Sequence, residues 1–366
     1  MPDSAAQPAP SSTYRWYVVA VLFLVGVFNF MDRQILSILL ESIKRDLNAS
    51  DAAMGLLTGF AFVSFYALAS LPIARAADSY SRRNIVAVGL AFWSVMTALS
   101  GFVTSFSQLA LARVGVGVGE AAATPPGQSM ISDLFPPERR SAALSAVAVS
   151  VPIGLMSAFV FGGWLNSVVG WRNTLICVGL PGLLLALIVC LTLKEPERGA
   201  SEHESVDRMN YNVGATLAYL WESRSLRYLT LGSSLSNLGA WALFVWSPSF
   251  LLRVHGMPTH VSGAWLGLAT GISGIAGTLL GGIITQRLAR HDDGWLMRVP
   301  ALTNLFGVPF VVLFLSMPGA AASVAMFFVI FCGYPVAFVM GGMALLFALV
   351  GAWLDVFSMI GLYNVV

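Results

Sequence analysis

Charge is what this chain has least of. Asp, Glu, Lys and Arg make up 10% of its 366 residues, where soluble domains carry about 25%. That shortage excludes an ordinary water-soluble domain. With 57% hydrophobic residues and a mean hydropathy of +0.77, the chain reads as an all-α polytopic membrane protein. Cysteine is scarce as well. Cys177, Cys190 and Cys332 lie in apolar runs with no metal-ligand spacing, as small buried hydrophobes do. The four histidines, His203, His255, His260 and His291, fall in expected loops, so neither a metal nor a cofactor is implied. The opening MPDSAAQPAPSST lacks a basic n-region. Residues 1–15 are therefore expected to form a short disordered cytoplasmic tail, not a signal peptide. The net charge of +2 carries no sign of a nucleic-acid partner, and none is expected.

What the chain has instead is a series of apolar runs about 20 residues long, the length that crosses a bilayer as a helix. They fall at 16–38, 52–74, 84–104, 107–128, 142–165 and 173–193, then at 226–252, 261–286, 299–317 and 320–340, with a last run at 343–366. The expected organisation is an N-terminal six-helix bundle over 16–193, a cytoplasmic linker over 194–225, and a C-terminal bundle over 226–366. The linker opens as KEPERGASEHESVDR, charged and flexible in composition. It continues as MNYNVGATLAYLWESRSLRY, whose amphipathic pattern suits a short helix on the inner membrane surface, or else a solvated loop.

Basic residues set the orientation. With the N-terminus inside, Arg15, Arg75, Arg82, Arg83, Arg139, Arg140, Lys194, Arg198, Arg208, Arg224, Arg227, Arg287, Arg290 and Arg298 face the cytoplasm. Only Lys44, Arg45, Arg172 and Arg253 face out. The bias puts the N-terminus in the cytoplasm, and the membrane is expected to be a bacterial inner membrane or plasma membrane.

Arg33 and Arg113 are left inside the hydrocarbon, with Asp32 and Glu120. A charge there costs at least about 2.5–3.5 kcal/mol and persists where it faces other helices or a water-filled cavity. Seven helical residues return to within about 20° of the start, so Arg113, Gly117 and Glu120 share a stripe. In NFMDR, Asn29, Asp32 and Arg33 stand at i, i+3, i+4 and cluster on one face. Asp32 lies about 24 Å from the inner end of its span and Arg113 about 21 Å above the inner surface. The matching depths predict an Asp32–Arg113 ion pair across facing helices. Glu120 lies about 10 Å lower, with its nearest counter-charge in its own helix two turns away. It reads as a poorly paired carboxylate suited to taking up and releasing protons. A static network that fixes helix packing would use the same residues. Gly115, Gly117 and Gly119 lack the strand and the Lys-Ser/Thr of a phosphate loop, and read as close helix packing.

Two short charged loops face the cytoplasm. ARAADSYSRRN carries Asp78, Arg82 and Arg83, and SDLFPPERRSAA carries Arg139. Positive-inside anchoring alone is one reading, and a cytoplasmic gate built from these residues is the other.

Six spans, an inner linker, more spans and a charged loop after span two resemble the major facilitator superfamily. The loop at 74–83 resembles its signature G-x-L-A-D-R/K-x-G-R-K/R: Asp78, Arg82 and Arg83 match, while Ala74, Ser79 and Ser81 depart. Arg113 and Gly117 resemble the R-x-x-x-G of span four. NFMDRQILSILLESIKRDL, ARVGVGVGEAAATPP, GWRNTLICVGLPG with EPERG, and NLGAWALFVWSPSFLLRVHG are similar to the Spinster-type lipid transporters over residues 14–290. The charged loop expected between spans ten and eleven is missing, because 332–354 runs without a charge.

The resemblance implies two six-helix bundles working by alternating access around a central cavity. It implies a monomer in the bilayer that moves a small lipid-like anion, a sphingosine phosphate or lysophospholipid, by proton coupling, with a proton antiporter exporting lipid as the leading form. Asp32 and Glu120 would couple protons, and Arg33, Arg113 and Asn29 would meet the head group. Phe60, Phe62, Phe65, Tyr66, Trp241 and Phe244 would line the tail's path, with Asn237 hydrogen-bonding substrate. Families that carry small organic anions or sugar phosphates also place a DR in span one and an arginine in span four, which is the runner-up. An enzyme is not expected, since no loop histidine is placed near the buried carboxylates, and a non-transporting sensor is the remaining alternative.

Overall fold

The computed structural model describes residues 11–199, 221–292 and 294–332, and every regular element among them is helical. The chain divides into two compact units, Met1–Val206 and Asp207–Val366. Of the expected surface helix over 209–228, residues 209–220 lie outside the described residues, while 224–228 open a helix that continues to His255; the run at 343–366 lies outside as well.

Helix α1 (Ser12–Asp46) starts at Ser11, whose hydroxyl accepts from the Tyr14 amide at 3.2 Å, the usual means of satisfying an orphan N–H. Residues 12–15, read above as tail, are thereby helical. Lys44 and Arg45 close its last turn and complement the helix dipole. The second span is assembled from α2 (Asp51–Leu56), a π-helical turn (Leu57–Ala61) and α3 (Phe62–Ser79). Helix α4 (Arg82–Leu99) is capped by Ser81 and ends in a 3-10 turn, Ser100–Phe102.

Span four is not one helix. Helix α5 (Phe106–Glu120) stops at Glu120, and α6 (Thr124–Leu134) starts three residues later. Pro125 and Pro126 have no N–H to give, and their rings clash with the carbonyls of Ala121 and Ala122, which ends the ladder there. Next come α7 (Pro137–Ala148) and α8 (Ser150–Thr192). The latter holds spans five and six as two arms joined at Gly170, where φ is 77°, a conformation glycine adopts without a Cβ penalty.

Among the described residues, four segments are long and apolar enough to cross a membrane: Ser12–Asp46, Asp51–Ser79, Arg82–Phe102 and Arg139–Thr192. Within the first unit α1 packs along α8, and α4 packs along α8 and α5. The α4–α5 approach is backbone against backbone. A Cβ on Gly89 would lie 2.3 Å from the Ala122 Cβ and 2.8 Å from the Gly119 carbonyl. Val18, Leu22 and Val25 of α1 meet Val86, Leu90 and Trp93 of α4, and Leu185 and Val189 of α8, in one core. Leu68, Leu71, Val88, Leu111, Leu184 and Leu191 remain exposed, an apolar exterior that suits hydrocarbon surroundings.

The second unit contains α9 (Arg224–His255), α10 (Thr259–Ala289), α11 (Trp295–Ser316) and α12 (Ala320–Cys332). A ladder of rings ties α9, α11 and α12 together. Phe244 meets Phe331 at 4.5 Å, Phe331 meets Phe327 at 4.6 Å, and Phe314 meets Phe250 at 4.9 Å.

Candidate functional site

The first unit buries two cross-paired ion pairs. Asp32 and Arg113 meet as their depths predicted, with Arg113 Nη1 donating to Asp32 Oδ1 at 3.3 Å. They are 3% and 2% exposed. The Thr97 hydroxyl donates to Asp32 Oδ2 at 2.5 Å, and Arg113 Nη2 donates to Ser100 Oγ at 3.3 Å. Thr97 of α4 and Ser100 of the turn that follows it hold this pair, and Arg113 Nε has no hydrogen-bond partner among the described residues.

Glu120 corrects the sequence reading. Fully buried, it is closely paired: Arg33 Nε donates to its Oε2 at 2.6 Å. Counting turns along α5 measured only the distance to Arg113 and missed the reach of a long side chain from α1. Adjacent residues on α1 point about 100° apart, so Asp32 and Arg33 serve two partners two turns apart on α5. Gly117, on the same stripe, lets α3 approach α5: a Cβ there would come within 2.9 Å of the Phe62 carbonyl.

Arg33 sits among rings. Its guanidinium carbon is 4.4 Å from the Tyr66 centroid, 5.3 Å from Phe30 and 5.5 Å from Phe62, contacts worth about 0.5–2 kcal/mol each. Its side chain keeps 15% exposure. Arg33 Nη2 and Glu120 Oε1 have no hydrogen-bond partner among the described residues. Each member of the pair therefore retains an open valence.

The remaining expected site residues scatter. Asn29 is buried but does not join the charge network; both its polar atoms are unpartnered among the described residues. Phe60 lies on the π-helical turn, 71% exposed and away from the pair. Phe244 is 4% exposed and packs against Phe331 within the aromatic ladder. Trp241 lies beside it at 6.1 Å. The side chain of Asn237 lies outside the described residues.

At the Arg82 end of the unit the expected gate is built differently. Arg82 Nε donates to Glu195 Oε1 at 2.8 Å, Nη1 donates to Ser129 Oγ at 2.8 Å and pairs with Asp133, and Nη2 donates to the Pro196 carbonyl at 2.9 Å. Glu195 Oε2 accepts from the Ser81 hydroxyl and the Arg83 amide. Arg198 donates to the carbonyls of Ala77 and Tyr80. Burial alone would raise the Glu195 carboxyl; the bonds from the Arg83 amide, Arg82 and Ser81 outweigh it and hold it below its ordinary 4.5. Asp78 and Arg139 are exposed and have no partner in this clasp. Sequence reasoning missed Asp133 and Glu195. Asp133 stood in a loop already noted for its charge, and Glu195 in a stretch whose composition suggests freedom, whereas 194–199 is held against α3, α4 and α6. Among the described residues no group of His, Cys, Asp and Glu is placed to hold a metal.

The Major Facilitator Superfamily pattern matches residues 22–366. An MFS-type efflux pump of Mycolicibacterium smegmatis is 35% identical over 301 residues, covering 81% of this chain and 68% of the pump. Human protein spinster homolog 1 is 32% identical over 335 residues, covering 86% and 63%. The probable L-galactonate transporter of Escherichia coli is 29% identical over 287 residues, covering 74% and 61%. The chain thus spans between 61% and 68% of the length of these relatives. The inward-facing, unoccupied crystal structure of a bacterial homolog to the human lysosomal transporter Spinster superposes with a TM-score of 0.79 at 29% identity, over 91% of this chain and 75% of that one. A family match that begins in the first span, joined to Spinster relatives over more than four-fifths of the chain, shows that the chain belongs to the Major Facilitator Superfamily, as a Spinster-like multi-pass membrane transporter and not an enzyme.

Proposed function

We propose that the protein moves an amphipathic anion of the lysophospholipid or sphingosine-phosphate class by proton-coupled alternating access, with its N-terminus in the cytoplasm. The observation that carries the reading is the Arg33–Glu120 pair with an open valence on each partner. A proton arriving at Glu120 removes the charge that holds Arg33, and a guanidinium so released binds a phosphate or carboxylate with a fork of donors. Anion binding and protonation of Glu120 then favour one another, while deprotonation returns Arg33 to Glu120 and expels the anion. The ring-lined flank of Arg33 suits an apolar chain beside the anionic head. Asp32 and Arg113, buried as a pair, hold α1 against α5 while this exchange happens. The clasp at Arg82 latches the cytoplasmic end during the rocking by which two-bundle transporters work.

The Escherichia coli relative described as a probable L-galactonate transporter supports a second reading, a small hydroxylated organic anion at the same arginine. The test is reconstitution in liposomes loaded with a pH-sensitive dye. Under an imposed proton gradient a lysophospholipid should drive proton movement, and Glu120→Gln should abolish it while leaving the protein folded. Unchanged proton-driven flux in Glu120→Gln refutes the coupling. Movement with galactonate and none with lipid selects the second substrate class.

A further inference from the structure

One turn from Arg33 along α1, a cavity of ≈ 230 Å³ lies between α1, α6, α7 and the start of α8, wholly within the first unit. Leu22 and Val25 contribute to its aliphatic wall, and four uncharged polar residues, Asn29, Thr124, Gln128 and Ser150, line it with them. No Asp, Glu, Lys or Arg lines it. Asn29 is 1% exposed, and neither its carbonyl oxygen nor its amide nitrogen has a hydrogen-bond partner among the described residues. A buried amide left bare on both atoms is costly and persists where something outside the protein satisfies it.

We infer that this cavity is a subsite for the hydroxylated, uncharged part of the transported anion, with Asn29 as the residue that selects for it. The inference rests on the transport reading above, in which Arg33 takes the anionic group. A hydroxyl both donates and accepts, as the two bare atoms of Asn29 require. A charged group would meet no counter-charge in these walls, and the aliphatic side chains disfavour a fully hydrated one. Asn29 and Arg33 stand at i, i+4 on α1, with Cβ atoms about 6 Å apart, so one ligand can reach both. The fitting ligand carries a hydroxyl near its anionic group, as both a glycerol-based lysolipid and a sugar acid do. Water is the rival occupant, since a cavity of this size has room for several molecules.

Equilibrium binding to the full chain in nanodiscs tests this with two probe pairs. One is a lysophosphatidic acid and its 2-deoxy counterpart; the other is galactonate and 2-deoxygalactonate. The wild type should bind the hydroxylated member of one pair at least about 10-fold more tightly than its deoxy partner. Asn29→Leu should bring that ratio to about one and leave deoxy-probe affinity intact, which also certifies folding. If Asn29→Leu loses the deoxy probe too, Gln128→Leu, at an exposed position on the same wall, should lower the ratio in its place. A ratio near one in the wild type, binding of neither pair, or a ratio that survives both substitutions assigns the cavity to water and overturns the inference. Proton movement is not part of this readout, so failure of proton coupling leaves it standing. Discrimination confined to the galactonate pair overturns the lipid reading and keeps the subsite.

Discussion

Replacing Arg82 by lysine keeps the charge and removes the fork. The Arg82 side chain is 3% exposed and directs Nε to Glu195, Nη1 to Ser129 and Asp133, and Nη2 to the Pro196 carbonyl. One ammonium on a flexible stem serves one of these carboxylates at a time, so either Asp133 or Glu195 loses its partner. Breaking a buried pair costs about 3–5 kcal/mol. Asp133 and Glu195 are 14% and 29% exposed, so water recovers part of that. We expect about 1–3 kcal/mol for Arg82→Lys and the upper end, about 3–5 kcal/mol, for Arg82→Leu. At about 2–4 °C per kcal/mol for a unit of this size, Tm should fall by about 5 °C for lysine and by about 10 °C or more for leucine, read by tryptophan fluorescence in detergent. The pH dependence follows from Glu195. Its carboxyl is held below the ordinary value, so its contribution is complete above the usual carboxylate range and is lost as pH falls through its own lower value. The lysine deficit should therefore stay constant from about pH 8 to pH 5 and shrink only below about pH 4. A wild-type Tm for Arg82→Lys, or a deficit that fades between pH 7 and pH 5, would refute the clasp as described.

Asp32→Ala leaves Arg113 buried without its counter-charge and Thr97 without its acceptor, and should cost about 3–5 kcal/mol. Asp32→Asn should cost less because an acceptor for Thr97 remains, and adding Arg113→Leu to Asp32→Ala should recover part of the loss in the same thermal assay. Gly89→Val drives two methyl groups into Ala122 and the Gly119 carbonyl, where even a Cβ would come to 2.3 Å and 2.8 Å. Overpacking typically costs 1–3 kcal/mol, and backbone on the far side places this change at about the upper end, visible as lost monodispersity on size exclusion and a lowered Tm.

The apolar runs and the depth match of Asp32 with Arg113 were legible in the sequence because each follows from spacing along one helix or from apolar run length, and the family was legible through the resemblance of its ordered motifs. The break at Glu120–Thr124 was written there too, in Pro125 and Pro126, but apolarity across 107–128 concealed it: hydropathy sums over side chains and does not register a missing N–H. The partner of Glu120 was not legible, because an arginine side chain spans the gap between helices and its direction depends on the rotation of α1 against α5. The same limit hid the roles of Asp133 and Glu195, which lie far apart in the chain and meet only around Arg82.

Sequence alone thus determined that four charges had to be buried in an apolar protein, since their residue types and their positions inside long hydrophobic runs are local facts. Which charge neutralises which, and which polar residue is left bare beside a cavity, were decided only by tertiary structure. Pairing in hydrocarbon depends on helix rotation and side-chain reach across several ångströms, and neither is a property of any one segment.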